Sequence, residues 1–348
     1  MSLNYAIRQA VPQDGASITN LFNHHPDGGR ISISAHYHQD PLHIATKLAP
    51  NTIVGVAQER NGEQLLGMGM VRLEENYQVA GIPSPTAVLS SLIVHHAYRR
   101  QGIAKALAHW RIEAARAGLA DPLLVAGVQE GNTGSMAVVQ SWAKAIIGPI
   151  QSCLVTAVRK QPHTDSRLLV RWAQTSDLDE IATRLNQFYR DYSFFSPKTA
   201  ESLGRWLACS PVDRPTRRYA VATDGQGNIV AGLGVTEQHR FMQMRVVNMP
   251  LPVRLLNKIV GIVPADGYLR QSAVTHFWFD AVQPEAARVL WQQVRWLVRE
   301  HSTHLTFFYD PRGPFPDIIR LPRWLPRASS ILAVSQDLPA HSHLLYPP

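Results

Sequence analysis

An internal repeat restricts the folds open to this chain. Residues 6–18, AIRQAVPQDGASI, match residues 169–181, LVRWAQTSDLDEI, at Arg8 and Arg171, Ala10 and Ala173, Asp14 and Asp177, and Ile18 and Ile181, each pair 163 positions apart. LLGMGMV at 65–71 matches VAGLGVT at 230–236, 165 positions apart. One such match could arise by chance; two in the same order at nearly the same offset argue for one unit used twice. A chain of 348 residues is the right length for two domains. The copies are expected at 1–160 and 167–348, joined by the polar, proline-containing KQPHTDSR at 160–167.

Each copy begins with a strand and a helix entered through polar residues. A hairpin follows, turning at Asn-Gly (61–62) or Asp-Gly (224–225). In the first copy the next strand is TAVLSSLIV, 86–94. A helix over about 102–117 then carries Ile103, Leu107, Trp110 and Ala114 on one face. The strand PLLVAGV (122–128) must run parallel to the previous one, because a helix crosses between them. A second helix is expected with Met136, Val139, Trp142 or Ala143, and Ile146 on one face. SCLVTAV (152–158) is expected to close the copy. The fold class is therefore α/β, an α+β arrangement on a mixed sheet.

Composition narrows the function. No apolar run reaches the roughly 18 residues that span a bilayer, and the first fifteen residues hold no signal-peptide core. The expectation is a cytoplasmic protein that does not enter a membrane. Two cysteines, Cys153 and Cys209, one per copy, argue against a disulfide framework or a cysteine zinc site, and no metal is expected. The formal charge of +8 favours an acidic partner. The basic residues are scattered rather than gathered in a stripe, so nucleic acid is not the expected one.

The junction LIVHHAYRRQGIAKAL, residues 92–107, runs from strand to glycine turn to helix. A helix that starts there leaves backbone N–H groups unpaired and adds partial positive charge. Glycine lets an anion approach the backbone, and Arg99 and Arg100 raise the local potential. Such a junction is a phosphate cradle, at the carboxyl ends of two parallel strands. It has neither G-x-G-x-x-G nor G-x-x-x-x-G-K-[ST]. Instead Arg99-Arg100-Gln101-Gly102-Ile103-Ala104 fits Q/R-x-x-G-x-G/A, and this resembles the acyl-CoA pyrophosphate loop of the GNAT superfamily of N-acetyltransferases. Val94, Tyr98 and Arg99 are in register with that family's strand-to-loop signature, and His96 stands where proline is common. The element order of 1–160 and Asn132 after the second parallel strand are similar to the family's as well.

The resemblance implies tandem GNAT-like domains with a degenerate second copy, and acetyl-CoA as cosubstrate. It implies that backbone groups of Leu92, Ile93 and Val94 hold the pantetheine arm. The N–H groups of Arg100, Gln101, Gly102, Ile103, Ala104 and Lys105 would hold the pyrophosphate, and Asn132 would contact the cofactor where the strands splay. An amine then attacks the thioester: it must arrive neutral, the carbonyl must be polarised and the thiolate protonated. Here the sequence departs from the family. Ser91 stands where a carboxylate base is common, and serine only relays a proton through water. Val139 stands where a tyrosine acid is common, with Tyr98 as a substitute that already belongs to the loop. Position favours Glu130, at the end of the second parallel strand, and His95, whose pKa suits a base. Glu74 and Glu75 lie past the far end of the hairpin, too distant to take part. Of His95 and His96, one is expected to face the site and the other to face away.

The second copy lacks the loop. VQPEAARVLW follows its strand, with Asp280 and Glu285 placing negative charge where a phosphate would sit. Its unmatched stretch 240–271 contains the apolar, basic VRLLNKIVGIV, expected as a helix packed on the other domain. The reading is an acyl-CoA-dependent N-acetyltransferase acting on a small-molecule or peptide primary amine, as a monomer or homodimer. The alternative is a non-catalytic acyl-CoA sensor or scaffold.

Overall fold

A computed structural model describes residues 5–24, 32–60, 62–163, 167–322, 327–338 and 343–348. Asn61 of the expected turn and residues 164–166 of the expected linker lie outside the described residues. The first half comprises β1 (Tyr5–Gln9), α1 (Gly15–His24), β2 (Ser32–Tyr37), α2 (Pro41–Leu48), β3 (Thr52–Glu59), β4 (Leu65–Val79), β5 (Ile82–Val94), α3 (Ile103–Gly118), β6 (Leu123–Gln129), α4 (Thr133–Val139) and β7 (Ala145–Thr156). The second comprises β8 (Leu169–Trp172), α5 (Leu178–Tyr189), β9 (Tyr192–Ser193), α6 (Ala200–Ala208), β10 (Arg217–Thr223), β11 (Ile229–Thr236), β12 (Met242–Asn248), α7 (Leu251–Val260) and β13 (Tyr268–Leu269). It continues through β14 (Gln271–Phe279), α8 (Pro284–Leu297), β15 (His304–Tyr309), α9 (Phe315–Ile319), β16 (Ala328–Val334) and β17 (Leu344–Leu345).

The repeat is visible in local chemistry. Arg8 donates two hydrogen bonds to the Asp14 carboxylate, at 2.7 and 2.8 Å, and Val11 N–H donates a third. Arg171 does the same to Asp177, at 2.6 and 3.0 Å, with Gln174 N–H as the third donor. In both copies the aspartate ties the first strand to the start of the first helix. The glycines of the second match also have a structural cause. A Cβ on Gly232 would lie 2.7 Å from the Trp278 indole nitrogen, and one on Gly69 2.9 Å from Arg111 Cδ.

One sheet of twelve strands runs through the molecule in the order β1-β3-β4-β5-β6-β16-β7-β15-β14-β11-β10-β8. Read inward from its two ends, it presents the same sequence of elements twice. The two halves are GNAT-like α/β units on one mixed sheet. At the centre the last strands cross over. β7, expected to close the first copy, instead pairs with β15 and β16. β16, the last long strand of the second copy, pairs with β6 of the first.

Three other expectations change. The stretch after Asn132 does not form a long helix: α4 ends at Val139, and Ile146 lies in β7 opposite Ala333. The buried stripe of α3 is Ile103, Leu107, Ala108, Arg111, Ile112 and Ala115. Trp110 is only half-buried, with its ring against Gly55. In 240–271, α7 forms close to the expected place, but the contact with the first half is made by a strand. β12 pairs antiparallel with β2, in a separate sheet ordered β13-β12-β2.

Candidate active site

The site is built where β5 leaves its parallel neighbour. The two strands pair only at Thr86 with Leu123, Ala87 with Leu124 and Val88 with Val125. Beyond Val88 no described strand takes that edge of β5, so its peptide groups face an opening. The ladder with β4 also slips by one residue, from Met70 opposite Ser90 to Met68 opposite Ile93. This is a β-bulge, and Ser91 in it adopts φ +49°. Leu92 and Val94 turn their side chains toward α3, and Ile93 packs on the opposite face against the cluster of α1 and α2.

After Val94 the chain makes a short turn and enters α3. Arg100 and Gly102 both have positive φ, +61° and +84°. Gly102 is the residue before the helix, no side chain caps that end, and a Cβ on Gly102 would meet nothing within 4 Å. The consecutive N–H groups of 100–105 therefore open onto empty space as an anion nest. Ile103 is buried beneath, among Ala57, Leu66 and Leu107, and only its N–H is on offer. Lys105 is exposed and Ala104 half-buried. Arg99 folds back to donate to the Val94 carbonyl at 3.2 Å, and Gln101 donates to Ala97 O at 3.4 Å.

The remaining candidates fall into two groups. Glu130 follows β6 directly, exposed, with its N–H bonded to Ser329 O at 2.8 Å. Asn132 caps α4 by accepting from Ser135 N–H at 3.0 Å. Tyr98 donates to Gln64 Oε1 at 3.2 Å, a bond that braces the loop against β4's start. Val139 is buried in the core under α3. His95 and His96 do not alternate across a strand, because β5 ends at Val94. Their rings stack at 4.7 Å and 20°. Burial, then His96 and Arg99, lower the His95 pKa, so its imidazole is neutral at pH 7. Glu74 is ion-paired with Arg72 at 2.6 Å and lies opposite Thr86, where β5 and β6 are still paired, away from their splay; the Glu75 side chain lies outside the described residues.

Arg111 escaped the sequence reading. It is 4% exposed, beneath the bulge, and donates to Ser90 O at 3.0 Å and Met70 O at 3.4 Å. Burial pushes its pKa down to about 10. The signal was present: a charged residue four positions after Leu107 on the apolar stripe of α3.

The second half keeps the bulge and fills the opening. β14 slips against β11 in the same way, with His276 at φ +51°. There Tyr219 donates to the His276 carbonyl at 2.8 Å and Tyr189 to that of Phe277. Phe315 of α9 packs on Phe307 at 5.0 Å and on Phe277 at 5.3 Å, in the space between the parted strands. Asp280 occupies the turn before α8 and accepts from Val282 N–H at 3.1 Å. Asp310, which follows β15 as Glu130 follows β6, is buried and paired with Arg312.

Residues 20–142 match the sequence profile of the acetyltransferase (GNAT) family. That stretch, about a third of the chain, is GNAT-like. No curated protein sequence matches the chain. Among solved structures, Saccharomyces cerevisiae N-myristoyltransferase with bound myristoyl-CoA is similar over 96% of this chain and 79% of that chain, with a TM-score of 0.66 at 10% identity. A GCN5-related N-acetyltransferase from Sphaerobacter thermophilus is similar over 97% of this chain and 98% of that one, with a TM-score of 0.57 at 11% identity. At such identity the likeness is one of fold. The open bulge, the splay and the uncapped α3 all fall within the span matched to the GNAT profile. Among the described residues no group of three or more metal-binding side chains comes together, and no helix is long and apolar enough to cross a membrane.

Proposed function

We propose that this chain is an acyl-CoA-dependent N-acyltransferase that moves an acetyl group to a primary amine at the GNAT half. One observation carries the reading: an unpaired strand edge with a bulge leads directly into an uncapped helix with a positive-φ nest, and both lie on one open surface. An acyl-CoA molecule has the complementary parts. Its pantetheine amides pair with the backbone of Leu92, Ile93 and Val94, and its pyrophosphate lies on the N–H groups of 100–105. The thioester then rests near Ser91, between β5 and the end of β6. Ser91 is too weak a base to act except through water. Glu130 has the reach and the exposure to take the amine's proton, and the neutral imidazole of His95 is the second candidate. Asn132 lines the cofactor's path while it caps α4. Holding amine and thioester together supplies much of the acceleration if the amine arrives neutral.

The buried Val139 in the position of a proton donor favours a second reading, an acyl-CoA binder without turnover. Gly102→Glu tests the binding step common to both. It places bulk, strain at positive φ and negative charge where the pyrophosphate lies. Calorimetry should show loss of acetyl-CoA binding with an unchanged circular dichroism spectrum. Unchanged affinity would place the cofactor elsewhere. Release of free CoA in the presence of a panel of amines then separates enzyme from sensor.

A further inference from the structure

Side chains from both halves meet beside the site, where β4 runs past the start of β3. On β4, Arg72 is bonded to Glu74 and donates to the Tyr77 hydroxyl at 2.9 Å. The second half reaches this stretch through residues 194–198. Phe194 N–H donates to Gln78 O and Gln78 N–H to Phe195 O. Lys198 follows, its backbone held by two 2.8 Å hydrogen bonds with the Asn186 amide. Behind it lies His276, 8% exposed, with its ring 5.2 Å from Trp206 and 6.4 Å from Tyr346. Arg217 lies over the Trp206 ring at 5.1 Å and reaches the carbonyl of Leu48 at the end of α2.

The charges here do not balance. Arg72 and Lys198 share a single carboxylate, Glu74, which Arg72 already holds, and Arg217, close enough to His276 to act on it, has no carboxylate partner among the described residues. Among the described residues the Lys198 ammonium has no ion-pair partner. Two buried nitrogens, His276 Nδ1 and Arg217 Nε, also lack a hydrogen-bond partner. Burial is the main cause of a lowered pKa at Lys198 and at Arg217. His276 is pushed down to about 3 by burial, with Lys198 and Arg217 adding to the effect, so it contributes no charge at pH 7. Uncompensated positive charge at a half-buried junction is costly, and an anion placed there relieves the cost. The junction also lies close to the bulge along β4 and β5. Arg72 is paired with Val88, two residues before Ser90 at the bulge.

We propose that the acceptor amine carries a carboxylate at its far end, received by Lys198 with Arg72, with Arg217 and His276 behind them. This rests on the acyltransferase reading above and names its substrate class as amino acids or short peptides rather than simple amines. The full-length protein is tested with matched pairs, ω-amino carboxylates of graded length and their carboxamides, at saturating acetyl-CoA. The best carboxylate should show a KM at least about tenfold below its carboxamide. Lys198→Met should raise the carboxylate KM about tenfold or more, leave the carboxamide KM and acetyl-CoA affinity within about twofold, and be rescued in part by Lys198→Arg. Calorimetry of the same pairs in the presence of CoA reads the preference even without turnover. Equal affinity within each pair, no measurable binding of either member, or an unchanged preference in Lys198→Met overturns the proposal. Failure of the wild type to bind acetyl-CoA overturns the acyltransferase reading instead.

Discussion

Glu130 and Asp310 show how one position diverges between two copies of a fold. Each follows the second parallel strand of its half. Asp310 is buried and locked by Arg312 and the Leu345 N–H, whereas Glu130 is exposed. Only the exposed carboxylate can exchange a proton with a ligand. Glu130→Gln keeps the shape and removes the base, so the rate at pH 7 should fall about a hundredfold. The deficit should shrink at high pH, where the amine arrives deprotonated. A rate within about twofold of wild type would take Glu130 out of the chemistry. Buried histidines carry a second expectation. The pKa of His276 is pushed down to about 3 and that of His304 to about 4, both mainly by burial. Between these values and the ordinary 6.5 the unfolded chain binds more protons than the folded one. Their contribution to stability is therefore complete above pH 6.5 and lost as pH falls through that window. Urea unfolding from pH 7.5 to pH 4.5 should show falling stability, and His276→Gln should flatten the slope; equal slopes would place the titration elsewhere. At this scale the sequence was readable wherever a residue's chemistry is local. The Arg8–Asp14 and Arg171–Asp177 pairs are visible as a repeat, and Gly102 as a turn. Lys198, His276 and Arg111 were not, because burial and convergence depend on partners far along the chain.

At the scale of elements, β5 and β14 are the same device put to two uses. Both are parallel to a following strand for a few residues, both bulge, and both part from the neighbour afterwards. The strand, the amphipathic helix and the glycine turn were legible in 86–107 because each follows a short period. The bulge was not legible. Positive φ at Ser91 and His276 falls on residues that do not by themselves mark a bulge, so the slip is imposed by the ladders on either side. The consequence for ligands is definite. At the β5 opening no described strand takes the edge, and Arg111 and Arg99 bond only the Ser90 and Val94 carbonyls, whereas tyrosine hydroxyls bond the carbonyls of the β14 bulge and Phe315 packs beside it. Asp280 meanwhile occupies the turn that would hold a phosphate. The full-length chain should bind one acetyl-CoA, read as the stoichiometry of a calorimetric titration. A stoichiometry of two would mean that the aromatic plug around Phe315 yields to the cofactor.

Across the whole molecule, the exchange of β7 and β16 makes the two copies interdependent. Sequence periodicity marks β7 as a last strand but says nothing about which edge it joins, since pairing is settled by which edges are left open. β6 ends its half with an open edge, and β16 of the other half covers it. β7 lies between β16 and β15, with both partners from the second half. Residues 1–160 on their own would keep β7 with neither partner and β6 with a bare edge. They would also expose Val125, Ile147 and Ile150, which now pack with Leu332 and Val334. Long unpaired edges beside an apolar face lead to aggregation. A 1–160 fragment should therefore be insoluble or lack cooperative unfolding, although it contains the entire cradle proposed for acyl-CoA. Coexpression with 161–348 should restore a soluble heterodimer that binds acetyl-CoA. The linker offers a gentler version of the same test. Cleavage of a protease site inserted at 164–166 of the full-length protein should leave both pieces together on size exclusion, held by the crossed strands. A 1–160 fragment that is monomeric, folded and competent for cofactor would show instead that β7 can return to its own half, and that the crossing at the centre of the sheet is not required for the site.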